Sequence, residues 1–60
     1  MNHTIQGLVT AVNGPIVRAS GLKGIRMYDI AEVGHHRLIG EVIRLSGETT
    51  VIQVYEDNTG

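Results

Sequence analysis

The sequence predicts an all-β domain, a small closed or nearly closed antiparallel barrel with Greek-key-like connections and about five to six strands. Three observations carry this reading. Eight glycines cut the 60-residue chain into short β-branched runs, a spacing that favours strands over helices. The apolar fraction of 42% is rich in Val, Ile, Leu and Ala, with two Tyr and no Phe or Trp, which suits a compact aliphatic core. The runs Leu38 to Leu45 and Thr50 to Tyr55, separated by a turn around Gly47, read as a β-hairpin.

The elements follow in order. A first strand is expected from about Ile5 to Val12 and is broken by Asn13-Gly14-Pro15, where Asn-Gly supplies positive φ and proline fixes a turn dihedral. Ile16 to Ala19 forms a short second strand. Ser20-Gly21-Leu22-Lys23-Gly24 is a loop, and Ile25 to Val33 is assigned to a third strand. A helical turn over Asp29 to Val33 is the alternative there, too short to hold without tertiary help. Gly34-His35-His36 turns the chain into a fourth strand, Arg37 to Leu45. Strict alternation leaves neither face of that strand purely apolar, and a bulge at Gly40 is expected to shift the register and reconcile its halves. Ser46 to Thr49 then leads into the fifth strand, Thr50 to Tyr55, with Ile52 and Val54 on one face. Glu56 to Gly60 is polar, rich in turn formers, and reads as a loop cut in its middle.

Residues 1–60 are read as a single domain. A domain of this length buries only about 60% of its unfolded surface, so its stability is expected to be marginal. Without cysteine, association with other chains is the favoured remedy. A net charge of -1 gives no overall attraction for a polyanion. No run approaches the ~18 apolar residues of a membrane-spanning helix, and the N-terminus has no signal-like basic and apolar pattern. A soluble, unexported chain is the expectation.

The motifs that carry chemistry are weak. Gly21-Leu22-Lys23-Gly24 has glycines and a lysine, but no hydroxyl residue follows and no helix opens behind it, so it reads as a tight turn and not a phosphate loop. His35 and His36 are adjacent and diverge, His3 stands apart, and solvated turn histidines are the default reading over a metal site. Glu41 and Glu48 lack the cleft that paired carboxylate catalysis requires. Glu41 is expected to pair with Arg44 or Arg37, or to sit at an interface. Arg18, Lys23, Arg26, Arg37 and Arg44 offer a basic face for nucleic acid with only Tyr28 and Tyr55 as stacking platforms, and solvated strand cations are the simpler account. No catalytic, cofactor-binding or metal residue is assigned.

Order and spacing add a resemblance. Gly7, Val9, Val12, Gly14-Pro15 with Val17, Gly21-Leu22-Lys23-Gly24 with Met27-Tyr28, Gly34, Leu38 through Leu45, and Val51 through Glu56 together resemble the start of the catalytic A subunit of the vacuolar and archaeal rotary ATPases. The resemblance runs from about Gly7 to Gly60. It implies the small N-terminal β-barrel of that protein, part of a crown that holds alternating A and B subunits together. It further implies that ATP and magnesium belong to the parent protein only, that the segment is not an enzyme by itself, and that the parent is a cytoplasmic, peripheral ion-transport ATPase. The family's P-loop, catalytic lysine and catalytic glutamate have no counterpart in this sequence.

The partners this implies are neighbouring A and B barrels. A homo-oligomer is expected of the isolated chain, because the family barrel continues with a further strand and its lack would expose a sheet edge. Aliphatic residues such as Leu22, Ile25 and Leu38 are the candidates for the interface centre. A free-standing barrel that binds nucleic acid or protein is the alternative, and an autonomous enzyme is the third reading.

Overall fold

A computed structural model describes residues 5–55. The expected loop from Glu56 to Gly60 and the candidate ligand His3 lie outside the described residues. Five strands form one sheet: β1 (Leu8–Asn13), β2 (Ile16–Ser20), β3 (Ile30–Val33), β4 (Leu38–Ser46) and β5 (Thr49–Val54). All pairings are antiparallel, in the order β1-β2-β5-β4-β3. The meander β3-β4-β5 with β2 returning beside β5 is a Greek key. The sheet curls into a half-barrel whose outermost strands are β1 and β3.

Two of the three hairpins turn on a glycine in a two-residue loop. Gly14-Pro15 joins β1 to β2 with Gly14 at φ 61°, and Gly47-Glu48 joins β4 to β5 with Gly47 at φ 58°. Glycine at positive φ in the first loop position matches the right-handed twist of flanking strands. Of the expected Asn-Gly pair only Gly14 takes positive φ, so Asn13 stays in β1, paired with Ile16.

The core lies on the concave face. Val17, Val42, Ile52 and Val54 form its centre, and Leu22, Ile25, Ala31 and Val33 pack against it. Val42 is completely shielded from solvent. The residues opposite one another explain the arrangement: Val17, Ile52 and Val42 lie in one row across β2, β5 and β4. Burial of a valine or isoleucine side chain is worth about 1.5–3 kcal/mol, so this row supplies much of what holds so short a chain.

Two expectations are corrected. The expected long third strand is confined to Ile30–Val33. Residues 22–29 instead cross from β2 to β3 through two turns, closed by Ile25 N–H to Leu22 O and Asp29 N–H to Arg26 O. Gly24 at φ 82° and Tyr28 at φ 71° break extended pairing there. The helical turn over Asp29 to Val33 does not form, because β4 offers Ile30–Val33 a complete partner in Leu38–Glu41.

The bulge in β4 falls between Val42 and Arg44, not at Gly40. Its effect is the one expected. Gly40 and Val42 face the core opposite Val54 and Ile52, and beyond the extra residue Ile43 the inward position passes to Leu45, opposite buried Thr50. Gly40 has another task. A Cβ there would stand 2.6 Å from Ile52 Cγ2, so its bare backbone is what lets β5 approach.

Candidate functional site

Antiparallel register sorts the outward residues of the sheet into rows. Ala11, Arg18, Val51 and Arg44 form one row, with the bulged Ile43 beside Arg44. Ile16, Gln53, Glu41 and Ile30 form the next. Ile39 lies opposite Glu32, and Tyr55 donates its N–H to Ile39 O at 2.8 Å. The β3-β4 side of the convex face therefore gathers Ile30, Ile39 and Tyr55 around two carboxylates, with Arg44 of β4 beyond the bulge, while the β1-β2 side carries Leu8, Ala11 and Arg18.

Tyr55 and Glu41 are joined directly: the phenol donates from Oη to Glu41 Oε1. This is a diagonal cross-strand pair on one sheet face. It replaces the expected pairing of Glu41 with an arginine. The hydrogen bond raises the Tyr55 pKa above its ordinary value of 10.0, with desolvation and the carboxylate charge acting in the same direction. Ile30 is 62% exposed and Tyr55 48%, so these large side chains face solvent and leave the core to smaller ones.

The second aromatic is held differently. Tyr28 sits in left-handed backbone, which costs a residue with a Cβ about 1–2 kcal/mol. Two hydrogen bonds to the most buried residue fix it there: Tyr28 N–H to Val42 O at 2.8 Å and Val42 N–H to Asp29 O at 2.9 Å. Arg26 N–H adds a bond to Asp29 Oδ2. The Tyr28 side chain remains 69% exposed.

The concave side opens between β1 and β3 as a groove lined by apolar residues including Val9, Leu22, Ile25 and Val33. Of the three residues nominated for an interface, Leu22 and Ile25 are half-buried against the core and Leu38 is exposed at the start of β4. Leu22 also closes over Gly7, where a Cβ would stand 2.7 Å from Leu22 Cγ.

The other candidates stay apart. His35 and His36 lie in the exposed turn from Gly34 to Arg37, and Glu48 in the β4-β5 turn. Among the described residues no group of three His, Cys, Asp or Glu side chains converges. Lys23 borders a shallow hollow with Gly21, Leu45 and Glu48, without a helix behind it. No helix among the described residues is long and apolar enough to cross a membrane.

Sequence reasoning did not find the Tyr55–Glu41 pair or the strained Tyr28. The first is readable from the hairpin only once the bulge is correctly placed. The second has no signal in residue type, since tyrosine disfavours positive φ.

Residues 9–60 match the model of the ATP synthase alpha/beta family, beta-barrel domain. The chain is 50% identical over 56 residues to the A subunit of the A-type ATP synthase of Ignicoccus hospitalis, covering 93% of the chain and 9% of that protein. It is 48% identical over 59 residues to the catalytic A subunit of the V-type proton ATPase of Eremothecium gossypii, covering 98% of the chain and 10% of that protein. With the catalytic A subunit of the V-type proton ATPase of Dictyostelium discoideum it shares 51% over 55 residues, which is 92% of the chain and 9% of the relative. The chain thus spans about a tenth of the length of these curated relatives. Its five-stranded Greek-key sheet and the match over residues 9–60 agree, and the chain belongs to the ATP synthase alpha/beta family as its beta-barrel domain.

Proposed function

We propose that this chain is the N-terminal barrel of a catalytic A subunit of the A-type or V-type ATPases, and that it serves assembly and not chemistry. The observation that carries the reading is identity of about half over more than nine-tenths of the chain to proteins of that name. The barrel holds neighbouring A and B subunits together in a crown. The parent protein, and not this segment, binds ATP and magnesium and couples hydrolysis or synthesis to ion transport, as a peripheral protein on the cytoplasmic side.

The surface chemistry supports an assembly role. Both tyrosines and several isoleucines are directed away from the core, and Tyr is among the residues that dominate interface energetics. The glycine-lysine loop carries no following Ser or Thr, which a phosphate-binding P-loop requires. Of the nominated interface residues, Leu38 is the most available to a partner, while Leu22 and Ile25 are engaged within the barrel.

A competition experiment tests this. The 60-residue chain, added in excess to separated A and B subunits, is expected to slow or cap ring formation as followed by native mass spectrometry. In parallel, calorimetric titration of the chain with Mg-ATP is expected to show no saturable heat. Unimpeded ring formation with the folded chain present, or micromolar nucleotide binding, contradicts the proposal.

A further inference from the structure

Strand register assembles a basic, hydroxyl-rich patch on the convex face. Arg18 of β2 and Arg44 of β4 both stand opposite Val51 of β5, one on each side. Two residues further along the three strands, and so on the same face, Ser20 and Ser46 both stand opposite Thr49. Two guanidiniums thus adjoin three hydroxyls. Val51, Thr49 and Ser20 are half-buried while both arginines are exposed, so the patch has a low floor between two long cationic side chains. The acidic groups that could neutralise it are engaged elsewhere. Of the four described carboxylates, Glu41 accepts from the Tyr55 phenol, Asp29 accepts from Arg26 N–H, Glu48 borders the hollow beside Lys23, Leu45 and Thr50, and Glu32 lies on β3 opposite Ile39.

We propose that Arg18 and Arg44, with the hydroxyls of Ser20, Ser46 and Thr49, bind a small free anion that carries two phosphoryl groups. The spacing selects this ligand. The two arginine Cα atoms stand about 10 Å apart, twice the separation of neighbouring strands. A guanidinium holds a phosphoryl group through two parallel N–H donors, and two such forks leaning inward over Val51 can hold one phosphoryl group each. A lone phosphate engages one fork and leaves the other in water. The serine and threonine hydroxyls, which rotate to suit an acceptor, donate to the remaining oxygens.

The site is weak. Solvent and salt reach it from the outside and screen its charges, so its affinity is millimolar. That lies far below the micromolar nucleotide binding that would contradict the assembly role. The site rests on strand register and on the placement of the carboxylates, and not on the family role proposed above. Failure of one leaves the other standing.

The test is a nuclear magnetic resonance titration of the 15N-labelled 60-residue chain with sodium pyrophosphate and, separately, with orthophosphate, the ionic strength being held constant with chloride. Amide shifts are expected to saturate at millimolar pyrophosphate and to cluster on Arg18, Ser20, Arg44, Ser46, Thr49 and Val51. Orthophosphate is expected to bind about tenfold more weakly, having lost one charge-assisted fork. Arg18→Gln and Arg44→Gln change exposed side chains, and the dispersion of their spectra checks that each variant keeps its sheet. Each is expected to weaken pyrophosphate about five- to tenfold, while Lys23→Gln, outside the patch, leaves the affinity unchanged. Shifts that grow without saturating, or that spread evenly over Lys23, Arg26 and Arg37 as for loose counterions, overturn the proposal. So does equal affinity for the two anions, or an unchanged affinity in either arginine variant.

Discussion

The β1-β2 and β4-β5 hairpins turn alike, each on a glycine at positive φ in the first of two loop residues, yet their strands have opposite fates. Strand β5 buries Thr50, Ile52 and Val54, whereas every residue of β1 is exposed. The apolar content does not explain this, since Leu8, Val9, Ala11 and Val12 make β1 the richer of the two. Position does. Strand β5 is flanked by β2 and β4, while β1 has a single neighbour and the open mouth of the half-barrel beside it. A natural edge strand is normally blunted by charge, proline or a bulge. Here β1 has only the irregularity between Val9 and Ala11. Burial in so small a domain is set by the order of strands as much as by the pattern within each.

The largest expected effect breaks this contrast directly. Ile52→Ala should cost about 2–5 kcal/mol by leaving a cavity against Val17 and Val42, enough to unfold a marginal domain. Val12→Ala should stay within about 0.5 kcal/mol. Denaturant unfolding followed by far-ultraviolet circular dichroism reads both. Equal losses would mean that β1 is covered in solution.

Gly40 in β4 and Gly47 in the turn after it differ in what an added methyl would meet. Gly40→Ala is expected to cost about 1–3 kcal/mol by driving a methyl into Ile52 and the β5 backbone. Gly47→Ala meets open space and loses only the roughly 1 kcal/mol of left-handed backbone. A milder Gly40 variant would show that β4 and β5 can move apart.

Smaller still is the strain at Tyr28. Tyr28→Gly is expected to raise stability by about 0.5 kcal/mol, the relief of left-handed backbone less the added freedom of glycine in the unfolded chain. A loss of stability would mean that the exposed ring packs on its surroundings.

The pH dependence of the Tyr55–Glu41 bond is the finest probe. The folded pKa of Tyr55 lies above its unfolded value near 10.0. The bond's contribution is therefore fully present below that value and is lost as pH rises through the folded pKa. Unfolding midpoints should fall above pH 10 more steeply in the wild type than in Tyr55→Phe. Parallel curves would place the phenol in water and not on Glu41.

Much of this was legible in the residues. Glycine spacing located the three hairpin turns, at Gly14, Gly34 and Gly47, and alternation in Thr50 to Tyr55 set Ile52 and Val54 on the buried face. The β4 bulge was legible as a need but not as a place. Glycine at position 40 suggested it, yet that glycine serves close approach, and the extra residue is the β-branched Ile43. The third strand is shorter than its pattern suggests, because Ile25 and Met27 alternate as a strand would while Gly24 and Tyr28 at positive φ turn the chain away. Leu22 and Ile25 looked like spare aliphatic surface in sequence, and the fold uses them to cover the core.

Whether this barrel joins neighbouring chains and does no chemistry is decided by removing it. Native mass spectrometry would compare the complete A protein with the same protein lacking residues 1–60, each mixed with its B partner. The shortened protein is expected to bind nucleotide still but to fail to hold a closed ring. A stable ring without the barrel would contradict the assembly role.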